Sequence, residues 1–233
     1  MNDAEKLSPP LRTVRSFVRR AGRMTVAQKS ALDEFWAEYG VEINRVDLDF
    51  AALFGRIAPI VCEIGFGNGD ALLEMASVDP TRNYFGIEVH RPGVGRVLAR
   101  VKELGLSNVR VACADAVDIL SHNVADAELA QINVYFPDPW HKKRHNKRRL
   151  VQETFAALCV RKLSVGGVLH MATDWQEYAE QMLAVATANS SFRNIAGECQ
   201  YSMRPLYRPL TKFEQRGHRL GHGIWDLLFE RIV

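Results

Sequence analysis

Ile60-Val61-Cys62-Glu63-Ile64-Gly65-Phe66-Gly67-Asn68-Gly69-Asp70-Ala71-Leu72-Leu73 is the stretch that decides the fold. Its opening run is apolar and β-branched, long enough for a buried strand and too short for a helix. The run breaks on Gly65, Gly67 and Gly69, and a helical apolar pattern through Leu72, Leu73 and Met75 follows. Strand, glycine turn and helix in that order open a βαβ unit. Glycine at these turn positions lets backbone approach a ligand closely, because no Cβ intervenes.

The same pattern repeats downstream. Tyr84-Phe85-Gly86-Ile87-Glu88 precedes a helix opened by Pro92 and closed by Gly105, the usual asymmetry of helix ends. Val109-Arg110-Val111-Ala112 leads to Asp115, and Ile132-Asn133-Val134-Tyr135-Phe136 leads to Asp138. A helix with Val151, Phe155, Leu158 and Cys159 on one face comes next. Val168-Leu169-His170-Met171-Ala172 runs to Asp174, which stands at capping-box spacing from Glu177. Trp175, Tyr178, Ala179, Met182, Leu183 and Ala186 then lie on one helical face. These units predict an α/β fold, a mostly parallel sheet with helices on both faces. Residues 195–203 and 223–232 read as two further strands with no convincing helix between them. That predicts a seven-stranded sheet whose C-terminal strand is antiparallel.

Upstream, Thr25 and Gln28 have capping-box spacing before Leu32, Phe35 and Trp36, and Gly40 supplies a stop, so a helix is expected at 26–39. Residues 1–24, with Pro9-Pro10 and Arg12, Arg15, Arg19, Arg20 and Arg23, read as a basic flexible arm. The expected organisation is that arm followed by a single domain over 25–233.

At 233 residues and 47% hydrophobic content the chain can bury one substantial core. The net charge of +3 conceals a segregation: residues 1–29, 141–149 and 204–219 are strongly basic, while 30–140 hold more acids than cations. Basic segments on a mildly acidic body fit a polyanion-binding face better than an evenly charged surface does. Cys62, Cys113, Cys159 and Cys199 are widely spaced and read as reduced core residues. No apolar run approaches the length of a spanning helix, and the polar start lacks a signal peptide's apolar region, which points to a cytoplasmic protein away from membranes.

Ligands of open α/β sheets bind at the carboxyl ends of the strands, where the strand order reverses. Glu63, Glu88, Asp115, Asp138 and Asp174 all lie at or near such ends. Asp70 stands where a dinucleotide fingerprint would have its third glycine, and no Lys-Ser/Thr follows as in a phosphate loop, so a ligand without phosphates is favoured. Glu88 can accept both hydroxyl protons of a ribose, and Asp115 can accept from an adenine amino group. A glycine turn, a ribose acid and an adenine acid in that order fit S-adenosylmethionine, although NAD shares the first two. For Asp115 and Asp174 the plain alternative is a helix N-cap.

Phe136-Pro137-Asp138-Pro139-Trp140 places one acid between two prolines and an aromatic. His141-Lys142-Lys143-Arg144-His145-Asn146-Lys147-Arg148-Arg149 follows, with no anion among its cations. The prolines stiffen the backbone around Asp138, and Trp140 offers a stacking face. His141/His145 and His218/His222 have the spacing of a helical zinc pair, but neither has a third ligand nearby, so no metal is expected.

The stretch 136–145, together with Thr173-Asp174 and Thr211-Lys212-Phe213-Glu214-Gln215-Arg216-Gly217, resembles the bacterial tRNA (guanine-N7-)-methyltransferase family. The resemblance covers about 12–232, and Arg15-Ser16-Phe17-Val18-Arg19-Arg20 is similar to the family's basic amino-terminal arm. It implies a Rossmann-like class I methyltransferase that uses S-adenosyl-L-methionine to methylate a guanine in the tRNA variable loop, as a monomer or weak homodimer. By the same resemblance, Glu63, Gly65, Gly67, Gly69, Glu88, Asp115, Ala116 and Asp138 would hold the cofactor, with Asp138 as the catalytic acid. Lys142, Asp174, Thr211, Lys212, Phe213 and Glu214 would contact substrate. Arg144, His145, Asn146, Lys147, Arg148 and Arg149 would touch RNA.

Guanine N7 carries an in-plane lone pair, so methylation there needs no strong general base, only in-line placement and a carboxylate to offset the charge that develops on the ring. Glu214 or Asp174 could read the guanine N1–H and 2-amino donors, and Trp140, Phe213 or Tyr207 could stack on the base. Two other readings stay open: methylation of an exocyclic amine, and a non-catalytic RNA-binding module on the same scaffold. An NAD oxidoreductase is disfavoured by Asp70 and the basic segments.

Overall fold

The strand read at 60–64 proves to be the pivot of the sheet. A computed structural model describes residues 16–17, 23–44, 46–210, 214 and 223–233. Among them, β1 (Ile60–Ile64), β2 (Asn83–Ile87), β3 (Val109–Ala112), β4 (Leu129–Tyr135), β5 (Leu163–Thr173), β6 (Phe192–Asn194) and β7 (Trp225–Arg231) form one sheet, in the order β3-β2-β1-β4-β5-β7-β6. β1 pairs in parallel with β2 on one side and β4 on the other. The chain therefore winds outward to β3, returns to the middle, and winds the other way. That reversal opens a crevice above the carboxyl ends of β1 and β4.

Helices cover both faces: α1 (Val26–Tyr39), α2 (Phe50–Phe54), α3 (Asp70–Val78), α4 (Arg91–Leu104), α5 (Ala116–His122), α6 (Glu153–Lys162) and α7 (Gln176–Thr187). The ends of α1 and α4 follow their sequence signals. Thr25 and Gln28 form the reciprocal capping box, and Gly105 takes the left-handed conformation at φ 64° after α4. One apolar cluster joins Cys62, Ile132, Val134, Leu169 and Met171 of the sheet to α5, α6 and α7. The opposite one joins Val61, Tyr84 and Val111 to α1, α3 and α4. Fully buried side chains on the two faces, Phe85 on one and Leu72 and Leu98 on the other, supply about 1.5–3 kcal/mol each and hold the sheet between its helices.

The second face changes character towards β7. There β4 alternates apolar residues facing α5 and α6 with Gln131, Asn133 and Tyr135, and His170 of β5 and Asp226 of β7 continue the polar layer, all buried. The chain segment through Arg208 packs there, and Arg208 is fully buried.

Several elements differ from expectation. The first of the two tail strands is short: the Asn194 side chain accepts from the Ala196 amide and Gly197 turns at φ 103°, so the chain leaves the sheet where a strand over 195–203 was expected. The C-terminal strand β7 is antiparallel to both of its neighbours, as expected, and is inserted between β5 and β6. β5 begins at Leu163 rather than Val168, because Gly166 and Gly167 bend the strand without ending it. Asp174 does not cap α7. The cap is Trp175, whose amide donates to Thr173 Oγ1 at 3.2 Å. Cys62 and Cys159 are buried as expected, but Cys199 is exposed. Most of the arm at 1–24, and Thr211, Lys212, Phe213, His218 and His222, lie outside the described residues. No helix among those described is long and apolar enough to cross a membrane.

Candidate active site

The glycine turn after β1 is held from below by the acid that ends β2. Glu88 Oε2 accepts the Gly67 amide at 2.8 Å, while Oε1 accepts the amides of Val89 and His90 at 2.6 and 2.9 Å. Gly67 sits at φ 57°, a region costly for other residues, and a Cβ there would meet no protein atom. Gly69 has a different role: it turns at φ 77° at the start of α3, and a Cβ would come within 2.1 Å of the Val97 side chain. Gly67 thus faces open space, and Gly69 is needed for packing.

Above this turn is a cavity of about 500 Å³ lined by Gly65, Gly67, Glu88, Asp115, Ala116 and Asp138, with Ser16 and Phe17 of the amino-terminal segment on its rim. Asp115 lines the cavity and also caps α5, accepting the Val117 amide at 3.0 Å, so its two readings hold together. Glu63 lies behind the cavity wall. It is 3% exposed, one carboxylate oxygen has no hydrogen-bond partner, and burial, reinforced by the charge of Glu88, raises its pKa to about 8. An unpartnered carboxyl oxygen beside a second acid is unusual in a core and marks Glu63 as a candidate site residue.

Asp138 stands exposed on the cavity wall in a loop whose flanking residues Phe136 and Trp140 adopt positive φ values of 51° and 48°. The Phe136 amide donates to Ala172 O at 2.7 Å, and the Trp140 indole N–H donates to Ser16 O at 3.1 Å. One face of Trp140 is already covered, with the Arg148 guanidinium 4.2 Å from the ring centroid and His145 edge-on at 6.0 Å. The expected free stacking platform is thus partly taken by a cation. His145 is held below its ordinary pKa by partial desolvation and then by Arg144 and the other cations around it.

The basic run forms a 3-10 helix, Lys143–Arg148, beginning directly after Lys142. Lys142, Lys143, Arg144 and Lys147 are exposed, and His145, Asn146 and Arg148 are half-buried. Arg149 corrects the expectation that it touches RNA. It is 3% exposed, donating from Nε to Pro139 O at 2.8 Å and from Nη1 to Gln181 Oε1 at 2.7 Å, and lying over Tyr178. Asp174 is half-buried between β5 and α7.

Glu214 is also buried. The resemblance places its carboxylate against substrate; in the structure it is 3% exposed and receives Arg208 Nη1 at 2.6 Å. Arg208 also grips Asp226 through Nε and Nη2 at 2.6 and 2.8 Å, and Asp226 Oδ1 meets His170 Nε2 at 2.8 Å. Tyr135 and Tyr207 each place a hydroxyl 3.0 Å from His170 Nδ1. Burial lowers the His170 pKa against the opposing pull of Asp226, so the ring is neutral at pH 7. Burial alone would raise Asp226, but the hydrogen bonds from His170 and Arg208 outweigh it and hold the carboxyl below its ordinary value. Reading the sequence misses this network; the alternation of Gln131, Asn133 and Tyr135 with apolar residues along β4 is the signal that could have revealed a polar layer. No group of three or more metal-ligating side chains occurs among the described residues.

Comparison with known proteins adds independent findings. A family model described as "Putative methyltransferase" matches residues 57–227. A curated tRNA (guanine-N(7)-)-methyltransferase of Klebsiella pneumoniae subsp. pneumoniae is 56% identical over 223 residues, 96% of this chain and 93% of that protein. One of the same name from Yersinia enterocolitica is 56% identical over 221 residues, 95% and 92% of the two chains. Among solved structures, the 16S rRNA methyltransferase KamB superposes with a TM-score of 0.59 over 80% of this chain and 95% of its own, at 14% identity. The aminoglycoside resistance methyltransferase NpmB1 gives 0.57 over 82% and 95%, also at 14%. At that identity the two structures speak for the fold.

Proposed function

The chain belongs to the family of tRNA (guanine-N(7)-)-methyltransferases, and with that as premise we infer that it transfers the methyl group of S-adenosyl-L-methionine to N7 of a guanosine in tRNA. The observation that carries the reading is the juxtaposition of an acid-lined cavity at the strand switch point with an exposed basic helix a few residues beyond Asp138. We take the guanosine to be in the variable loop, the enzyme to act in the cytoplasm as a monomer or weak homodimer, and residues 1–24 to be an arm added to one catalytic domain.

The residues present fit S-adenosylmethionine. Glu63 offers a buried carboxyl oxygen that lacks a partner, the Gly67 position leaves space beside the backbone, and Glu88 and Asp115 stand on the wall in the order that ribose and adenine require. When bound, that molecule supplies an electrophilic methyl on sulfur. Glu63 would pair with its amino group, Glu88 with the ribose hydroxyls, and Asp115 and Ala116 with the base, while Gly65, Gly67 and Gly69 shape the turn around it. Asp138 is the group at the reacting edge. Its carboxylate offsets the positive charge that guanine gains as N7 is alkylated, and no proton need be removed beforehand. Exposed Lys142 and half-buried Asp174, with the segment 211–213, are our candidates to orient the base. Lys143, Arg144 and Lys147 offer cations to phosphates.

The deciding experiment incubates the protein with methyl-labelled S-adenosylmethionine and total tRNA, then digests the RNA and identifies the labelled nucleoside. Label in 7-methylguanosine is expected. Label on an exocyclic amine, or none, would overturn the reading.

A further inference from the structure

Arg149 belongs by sequence to the cationic run, but its surroundings belong to the loop that carries Asp138. We propose that Arg149 is a positioning residue: its buried guanidinium, anchored against α7, grips the Pro139 carbonyl and so keeps Asp138 turned to the cavity. This rests on the reaction inferred above and adds a residue to it.

The loop needs such a hold. A non-glycine residue in the left-handed region costs roughly 1–2 kcal/mol, and Phe136 and Trp140 both lie there, at φ 51° and 48°. Left to itself the segment would relax, and Asp138, which is exposed, has little packing of its own to resist. Arg149 supplies the restraint at the residue after Asp138, Nε donating to Pro139 O at 2.8 Å. The arginine is in turn fixed by two side chains of one helix. Nη1 donates to Gln181 Oε1 at 2.7 Å, and the guanidinium carbon lies 4.9 Å from the Tyr178 ring centroid, both on α7. Gln181 Nε2 and the Tyr178 hydroxyl bind the carbonyl and amide of Val151 at 2.9 and 3.1 Å, locking the strand of chain on which Arg149 sits. The Arg149 amide also donates to Asn146 O at 3.0 Å, closing the basic 3-10 helix. One residue therefore ties the RNA-facing helix, α7 and the Asp138 loop together. With a side chain only 2% exposed, it has no surface to offer a phosphate.

The fork is what matters, so Arg149→Lys is the informative variant: a single ammonium keeps the charge but cannot stack on Tyr178 while bridging two divergent acceptors. Turnover should fall about 10- to 100-fold, the scale set by small misplacement of a reacting group, while the Michaelis constant for tRNA and its salt dependence stay as in the unsubstituted chain. Hydrogen exchange of peptides spanning 136–149 should rise, a readout independent of which nucleoside is methylated. If the unsubstituted chain fails to make 7-methylguanosine, the functional reading fails, yet the exchange comparison still judges the clamp. Gln181→Ala should lower turnover with an unchanged salt slope, and Gln181→Glu, which keeps the acceptor, should lower it less. Undiminished turnover and exchange in a folded Arg149→Lys protein, or a weaker tRNA affinity with a flattened salt slope, would overturn the proposal. Should Arg149→Lys not fold, equal behaviour of the two Gln181 variants would do so.

Discussion

Replacing Arg208 with alanine tests whether the polar layer under β7 is held by charge. Arg208 makes three charge-assisted hydrogen bonds, two to Asp226 and one to Glu214, and all three residues are at most 3% exposed. Removing one partner of a buried ion pair costs about 3–5 kcal/mol, because the remaining charge stays desolvated. With a urea slope of about 3 kcal/mol/M, the upper end for small proteins, the midpoint should drop by roughly 1–1.7 M at pH 7.5. The pH dependence is the sharper check. Asp226 has a folded pKa below its unfolded value, so its contribution is complete above about pH 4 and is lost as pH falls through the folded pKa. Without Arg208 the same carboxyl takes up a proton more readily, so the gap between the two proteins should shrink as the pH is lowered from 7.5 towards 4. A second substitution, Asp226→Asn, added to Arg208→Ala should recover at least half of the loss, since it removes the charge left behind. Equilibrium urea unfolding followed by circular dichroism at several pH values measures all three. A loss below about 1 kcal/mol at pH 7.5, or a loss unchanged by pH, would refute the reasoning, because surface pairs behave that way.

Glu63, with its pKa raised to about 8, should release a proton when S-adenosylmethionine binds at pH 7; calorimetry in two buffers of different ionisation enthalpy should detect it in the unsubstituted chain and not in Glu63→Gln. Without ligand, Glu63 contributes stability below its ordinary value near 4.5 and loses it as pH rises to about 8, so Glu63→Gln should flatten the decline of stability across that window in urea titrations. Asp138→Ala should reduce turnover by about 10²–10³-fold, the effect of deleting one electrostatic group at a developing charge, with S-adenosylmethionine affinity changed little by calorimetry. The triple variant Lys143→Ala, Arg144→Ala, Lys147→Ala removes three exposed cations and should lower the log–log salt slope of tRNA binding by about 2–3, read by filter binding between 50 and 200 mM salt.

Local pattern was sufficient for much of this molecule. The run Ile60 to Gly69, the capping box Thr25/Gln28 and the Pro92/Gly105 pair are short-range signals, read by backbone sterics and period alone. They fixed the helix–strand succession and left the acids Glu88, Asp115 and Asp138 at strand ends, where the structure gathers them around one cavity. The boundary errors came where a side chain bonded to its own neighbours: Asn194 turned the chain out of the sheet, and Thr173 accepted the Trp175 amide, so that α7 starts one residue later than a cap at Asp174 would set it.

The order of the strands and the destination of each charge depend on contacts between residues far apart in the chain. Arg148 and Arg149 are adjacent and chemically identical, yet one lies half-buried on Trp140 and the other fully buries its fork between Pro139 and Gln181. Glu214 looks like a surface acid in a basic segment until β7 brings Asp226 alongside Arg208 and the three close on one another. The sequence by itself determined the alternating α/β succession, the glycine turn and the family, because those rest on local conformation and motif. Only the tertiary structure decided which cations stay exposed and which are buried in ion pairs and hydrogen bonds, because desolvation belongs to a place in the fold and not to a residue type.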